Sequence, residues 1–233
     1  MNQKFDRIIL LSGGIDSTIG YYYLEKPQPV FFNMGHNYQW KERRAVEEIV
    51  DVKKHRLIID SSLSFLGAKE EELNAHIPFR NLFLSLVSAA FYSDIIYICG
   101  IKDDVMTDKS AKVFNEWSKH LSFLEGRDIQ ILSPFWDLTK VDLVNWFKKE
   151  YPSEFEKVLR LTVSCYSGEG DNYCGKCQAC FRRAVALFSV GIELPFFNSD
   201  ILIYYKNRLS EEFYNKERIQ YTKKYLQFLG VIL

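Results

Sequence analysis

Residues 10–18 read Leu-Leu-Ser-Gly-Gly-Ile-Asp-Ser-Thr (LLSGGIDST) and continue an apolar run that begins at Ile8. A strand ending at Leu11, a Ser-Gly-Gly turn and a helix beginning near Asp16 aim several backbone N–H groups at one point in front of the helix. That point favours an anion. Glycines at 13 and 14 admit positive φ and carry no Cβ to hold a phosphate away. Ser12 and Ser17 add hydroxyl donors, and Asp16 is placed to cap the helix or to hold a magnesium ion that bridges phosphate oxygens. The lysine of a Gly-x-x-x-x-Gly-Lys-Ser/Thr loop is absent, so kinase and GTPase chemistry is not indicated. Taken alone, the stretch also reads as an ordinary glycine turn capped by Asp16.

Outward from this turn, short apolar runs alternate with helical stretches: Ile8 to Leu11, Val30 to Phe32, Leu57 to Ile59, Ile95 to Cys99 and Ile129 to Leu132. The runs are continuous rather than alternating, as strands covered on both faces should be. The fold class expected is therefore α/β, a doubly wound parallel sheet that binds ligands beyond the carboxyl ends of its strands. The polar residues after each run become the functional candidates: 12–17, 33–36, 100–108 and 133–140. Residues 81–100 have the length of a membrane span, but Asp94 and a change from Leu- and Ala-rich to β-branched texture read as helix, turn and buried strand.

The 233 residues carry 30 Lys plus Arg against 30 Asp plus Glu, so no global field draws a polyanion and nucleic acid is not the expected partner. No secretory leader pattern opens the sequence, and a cytoplasmic setting is expected. After about Tyr151 the strand–helix alternation stops, which predicts an α/β domain over residues 1–150 and a helical region with a tail over 151–233. The tail from Leu209 to Leu229 reads as one helix, with six basic and three acidic residues between Lys206 and Lys224 read as a solvated face.

Four of the five cysteines, Cys165, Cys174, Cys177 and Cys180, fall in one short stretch, SCYSGEGDNYCGKCQACF. Four thiolates complete a tetrahedral zinc site, and the Cys-x2-Cys-x2-Cys run lets backbone N–H groups reach the sulfurs. Disulfides or a redox pair fit a reducing setting less well, and an iron–sulfur cluster is the stronger rival to structural zinc. Cys99, ending a buried run, reads as a small core residue.

The string Ser12-Gly13-Gly14-Ile15-Asp16-Ser17 resembles the signature of the PP-loop ATP pyrophosphatases, which adenylate an oxygen and release pyrophosphate. With the cysteines it resembles one family of that group, the 7-cyano-7-deazaguanine synthases (QueC). Ile77-Pro78-Phe79-Arg80-Asn81 resembles the family's Pro-x-Arg-Asn segment, and Leu138-Thr139-Lys140 its Leu-Thr-Lys. The tracts at Cys165-Tyr166 and Cys174 to Cys180, followed by Arg182-Arg183, resemble its zinc site. The resemblance implies an adenine nucleotide alpha-hydrolase-like sheet of five strands with a small C-terminal helical zinc-binding region. It implies an ATP-dependent carbon–nitrogen ligase that converts 7-carboxy-7-deazaguanine with ammonia to an amide and then a nitrile, using ATP, Mg2+ and Zn2+. On this resemblance Leu11, Ser12, Gly13, Gly14, Ile15, Asp16, Ser17 and Gly100 bind nucleotide. Ser12, Asp16, Ser17, Arg80 and Lys140 serve the chemistry, Arg80, Asn81 and Asp108 meet the deazapurine, and Cys165, Cys174, Cys177 and Cys180 hold the metal. A homodimer is implied too, with Phe196, Phe197, Tyr204 and Tyr205 offering interface material.

Without the resemblance, Arg80 reads as a helix-start cation, Lys140 as a solvated helix residue and Asp108 as a loop residue ahead of a helix capped at Ser110. Two segments depart from the family: Asn33-Met34-Gly35-His36 stands where Asp-Tyr-Gly-Gln is usual, and residues 102–110 lack the usual proline, cysteine and arginine. These departures keep two alternatives open: a PP-loop enzyme acting on tRNA or a protein terminus, and a non-catalytic nucleotide-binding protein.

Overall fold

The computed structural model describes residues 4–25, 27–71, 75–104, 108–167, 170, 173–194 and 196–233. Five short strands form one sheet: β1 (Ile8–Leu10), β2 (Gln28–Phe32), β3 (Ile58–Asp60), β4 (Ile95–Tyr97) and β5 (Gln130–Leu132). Every neighbouring pair is parallel and the order is β3-β2-β1-β4-β5. Strands and helices alternate through α1 (Ile15–Tyr23), α2 (Gln39–Val52), α3 (Arg80–Phe91), α4 (Ala111–Glu125) and α5 (Lys140–Glu150). The expected doubly wound α/β sheet is thus present, with strand bounds within two residues of the apolar runs.

Continuous apolar strands arise because both sheet faces are covered. Successive side chains point to opposite faces. Ile9 and Phe31 enter a core shared with α1, α2 and α5, whereas Ile8, Leu10, Val30 and Phe32 enter one built with α3 and α4. The segment 81–100 resolves into α3, a turn and β4, and no helix among the described residues is long and apolar enough to cross a membrane.

The chain winds outward from β1 to β3, then returns to lay β4 on the other side of β1. The order therefore reverses between β1 and β4, where the loops leaving the two strands part and open a crevice. The LLSGGIDST turn leaves one side of that crevice and residues 98–104 leave the other.

Beyond α5 the chain is helical: α6 (Phe155–Leu161), α7 (Gln178–Phe188), α8 (Ser199–Lys206) and α9 (Lys216–Phe228). Val158, Leu159, Val163, Ala186 and Leu187 join the same core as Ile9. Within the span Leu209 to Leu229 expected to form one helix, α9 fills Lys216–Phe228, and the residues ahead of it form a turn. Asn198 caps α8, accepting from the Ile201 N–H at 3.2 Å, and Asn215 caps α9, accepting from the Arg218 N–H at 2.8 Å, so two helices flank a turn. The tail aromatics also differ from the interface expected of them: Tyr205 is buried and stacks on Phe181 at 4.1 Å, and Tyr225 and Leu226 complete a third core there. Of the four, Phe196 alone is exposed.

Phe147 on α5 is fully buried and packs edge-on against Tyr22 at 4.9 Å, joining α5 to α1. Phe147→Ala is expected to lower unfolding free energy by about 3–5 kcal/mol in urea titrations, the loss of a large core ring with the cavity it leaves.

Candidate active site and metal centre

The turn after β1 is held by its own hydroxyls. The Ser12 N–H donates to Ser17 Oγ at 3.2 Å, the two hydroxyls lie 3.1 Å apart, and the Gly14 N–H reaches Ser12 Oγ at 3.4 Å. Gly13 has φ +72°, and a Cβ there would stand 3.0 Å from the Ala45 Cβ and 3.1 Å from the Glu42 carbonyl. Only glycine both adopts that backbone and lets α2 come so close. Leu11 and Ile15 turn their side chains into the core, so they can offer a ligand only backbone. Gly100 has a packing reason of its own, since a Cβ there would fall 2.1 Å from the Trp136 ring.

Gly14 rather than Asp16 is the N-cap of α1. Asp16 sits in the first helical turn, where its charge suits the helix dipole, and forms an ion pair with Lys140 Nζ. Both side chains are largely buried, so Lys140 is not the solvated residue that its local sequence suggests. A capping box sets its place: Thr139 Oγ1 accepts from the Asp142 N–H at 3.2 Å while Asp142 Oδ2 accepts from the Thr139 N–H at 2.8 Å. Lys140 becomes the first residue of α5, and its N–H donates to Asp103 Oδ2 at 3.0 Å. Burial pulls the Lys140 ammonium below the usual lysine range, with Asp16 working against that fall and Arg182 adding to it.

The loop after β4 contributes charges that the sequence reading did not single out. Asp104 pairs with Lys109 at 2.9 Å and lies 3.8 Å from Arg182, and its Oδ2 accepts the Ile101 N–H at 3.0 Å. Burial opposes the charged form of Asp104, yet Lys109, Arg182 and these hydrogen bonds outweigh it and hold the carboxyl at about 2. Of the paired arginines on α7, Arg183 is structural: its guanidinium is buried and bonds the Leu159 carbonyl at 3.1 Å, whereas Arg182 faces the charge cluster. Asp103 and Asp104 lay inside the candidate span 100–108 without a role of their own, and Lys109 just beyond it, in the segment that departs from the family. The one sequence signal for them was their position after β4.

The expected substrate residues divide. Asn81 Nδ2 donates to Asp108 Oδ2 at 3.0 Å, so these two meet. Arg80, next to Asn81 at the start of α3, acts electrostatically on Tyr38. Burial pushes the Tyr38 hydroxyl up, with Glu42 adding to the rise and Arg80 opposing it. Arg80 has no ion-pair partner among the described residues, and Phe79 before it is held at φ +58°, a left-handed conformation that costs a bulky residue about 1–3 kcal/mol. His36 is buried, with Nε2 3.0 Å from Glu42 and its ring 4.1 Å from Tyr38. Of the departing segment 102–110, Val105, Met106 and Thr107 lie outside the described residues.

The four cysteines converge, with all sulfurs within 4.8 Å of one another. Zinc–sulfur bonds of about 2.3 Å separate tetrahedral sulfurs by about 3.8 Å, and Cys174 and Cys180 stand 3.9 Å apart. N–H groups of Ser167, Lys176 and Cys180 each approach a sulfur at 3.4 Å, as thiolates require. This set fits a structural zinc ion. Two residues before Cys165, the Val163 N–H donates to the Gly13 carbonyl at 2.8 Å and fastens the cysteine lobe to the turn. Cys99 is buried apart from them, its thiol pushed up to about 12 by burial.

Cys177→Ser is expected to release the metal, read as loss of zinc by atomic emission and a lower melting temperature. Asp104→Asn tests the charge cluster. A carboxyl held near 2 against an ordinary 3.8 stabilises the fold above about pH 4 and loses that contribution as the pH falls toward 2. The variant is expected to be less stable than the parent by about 2 kcal/mol at pH 6, with the gap closing between pH 4 and 2 in denaturant titrations.

The family model of Queuosine biosynthesis protein QueC matches residues 6–191. A 7-cyano-7-deazaguanine synthase of Methanocaldococcus jannaschii is 25% identical over 233 residues, covering 80% of this chain and 96% of that protein. One of Nautilia profundicola is 28% identical and covers 80% and 95%. One of Sulfolobus acidocaldarius is 27% identical over 81% of this chain, which spans 46% of that longer relative. A solved structure from Methanocaldococcus jannaschii, described as a predicted subunit of tRNA methyltransferase, aligns with a TM-score of 0.42 at 12% identity, over 63% of this chain and 89% of that one. That likeness is too distant to bear on function. With four fifths of its length matched in sequence and the loop, lysine and cysteines in place, the chain belongs to the QueC family.

Proposed function

We propose that the protein is an ATP-dependent ligase that adenylates 7-carboxy-7-deazaguanine or a close deazapurine and lets ammonia displace AMP to give the amide, then adenylates the amide oxygen with a second ATP and loses AMP to give the nitrile, with pyrophosphate released at each adenylation. The observation that carries the reading is the SGGIDS turn at the β1–β4 crevice with Lys140 anchored on Asp16 beside it. A carboxylate oxygen leaves poorly, and adenylation turns it into the oxygen of AMP, a far better leaving group. The residues' task is then to answer the charge that gathers on the departing diphosphate.

In this reading the N–H groups of Gly13, Gly14 and Ile15 with the Ser12 and Ser17 hydroxyls hold the phosphates, and Lys140 faces the developing charge. Asp16 gives one oxygen to Lys140, and its other oxygen would hold a magnesium ion, which would supply positive charge against the phosphates; a single carboxylate with phosphates is a donor set that magnesium accepts. Asp108, oriented by Asn81, offers a carboxylate to the amino and ring N–H edge of a guanine-like base. Arg80 serves the carboxyl end of the substrate. Residues 1–150 bind the nucleotide, residues 151–233 carry the zinc and the tail, and a cytoplasmic homodimer completes the proposal by resemblance to the family.

The test is product analysis with ATP, ammonium and the deazapurine acid. AMP and pyrophosphate are expected, together with a mass change from carboxyl to amide or nitrile, and Lys140→Met and Ser12→Ala are each expected to lower kcat at least 100-fold. ADP as the sole nucleotide product, or deazapurine-independent turnover, overturns the reading. ATP binding with no turnover supports a protein that kept the cradle without the chemistry.

A further inference from the structure

The polarity of α3 runs against the usual rule for a helix that covers a sheet. Its polar residues Asn81, Ser85 and Ser88 are buried together with Leu84 and Ala89. At about 100° per residue these five occupy one side, and Phe79, Leu82, Phe83, Leu86, Val87 and Ala90 fill the other. Phe79, Leu86 and Ala90 are exposed, and Leu82, Phe83 and Val87 are half-buried. After Arg80 the helix carries no charge. Its neighbours obey the rule: α2 shows Arg43 and Glu47 to solvent, and α4 shows Lys112 and Lys119. On α3 solvent meets an apolar stripe at helical spacing instead.

Phe65 widens the stripe, packing edge-on against Phe83 at 5.9 Å, and Phe91 ends it. Phe79, Phe65, Leu86 and Phe91 are 69, 58, 41 and 67% exposed, which at about 200 Å² for a whole ring leaves about 450 Å² of apolar surface open. Monomers seldom keep a patch of that size without a use for it. Counted on two copies, with Leu82, Phe83, Val87 and Ala90 added, it passes roughly 1,000 Å², the size a specific interface must clear.

We infer that α3 is the face on which two copies of this chain pair, antiparallel about a twofold axis at Leu86. Leu82 and Ala90 stand four residues to either side of Leu86, so the twofold sets Leu82 of each copy against Ala90 of the other. A large side chain then meets a small one, as ridges entering grooves require. The charge-free arc brings no like charge to meet its own copy, and antiparallel packing opposes the two helix dipoles. A lipid surface is the poorer occupant, since an interfacial helix flanks its apolar stripe with basic residues and the outer side of α3 has none. The homodimer taken above from family resemblance is thereby given a face in place of the tail aromatics, of which Tyr205 is buried and Phe197 and Tyr204 pack around it. The stripe and its area depend neither on that resemblance nor on the proposed reaction.

The test is the mass of the zinc-loaded full chain by sedimentation velocity from about 1 to 100 μM, the range in which an interface of this size assembles. A dimer is expected. Leu86→Glu and Ala90→Glu are each expected to weaken it by roughly 100-fold, since each brings two unpaired carboxylates into an apolar contact. Zinc content and circular dichroism are expected to stay unchanged in both, because both positions are exposed. Leu86→Lys is expected to be monomeric as well, and its equimolar mixture with Leu86→Glu to recover dimers, which requires residue 86 to face its own copy. Ile203→Glu, at an exposed apolar position on α8, is expected to leave the mass unaltered. A parent that stays monomeric throughout the range overturns the inference, as do dimers that persist in both carboxylate variants or are lost equally in Ile203→Glu. A Glu and Lys mixture that stays monomeric overturns the twofold at Leu86. The masses are read without nucleotide or deazapurine, so failure of the proposed reaction leaves this result standing.

Discussion

Burying the Asp16 carboxylate in the first turn of α1 is tolerable only where a cation answers it, and here Lys140 answers it across 124 residues of sequence. The first turn of α1 supplies one charge and the first residue of α5 the other, so the pair forms only when the sheet is complete. Around it four cations, Lys109, Lys140, Arg182 and Arg218, meet three carboxylates, Asp16, Asp103 and Asp104. Removing any one partner from such a cluster leaves a buried charge unanswered, a larger penalty than the net worth of the pair. The excess of one positive charge is what a site for a phosphorylated ligand should retain.

Much of this architecture was legible in the chain. Uninterrupted apolar runs announced strands covered on both faces, and the SGGIDS turn placed the anion site at the first of them. The cysteines announced their own convergence, since four thiols within sixteen residues have few other uses. What escaped was whatever depended on long-range neighbours. The strand–helix rhythm says nothing of which loops share the crevice, so Asp103, Asp104 and Lys109 read as a divergent loop rather than as the partners of Arg182. Gly100, expected at the nucleotide, also has a packing reason that only the structure reveals, the Trp136 ring standing where a Cβ would lie. The tail was legible in part: the helix expected in Leu209 to Leu229 is there as α9, but its start at the Asn215 cap and the packing of Tyr225 with Phe181 and Tyr205 depend on neighbours that the sequence does not name.

The metal lobe has a purpose beyond holding the C-terminal helices together. Cys177 caps α7, the helix that carries Arg182 into the charge cluster and Arg183 into the core. Fixing the first turn of α7 therefore fixes the direction in which Arg182 presents its guanidinium. No residue of the lobe needs to touch a substrate for the metal to matter to catalysis.

The single amide of Val163 binds the Gly13 carbonyl, two positions upstream of the first cysteine. An ion held by the four cysteines would accordingly stiffen more than its own lobe: through this amide it would restrain the backbone of the first turn, at the opposite end of the sequence.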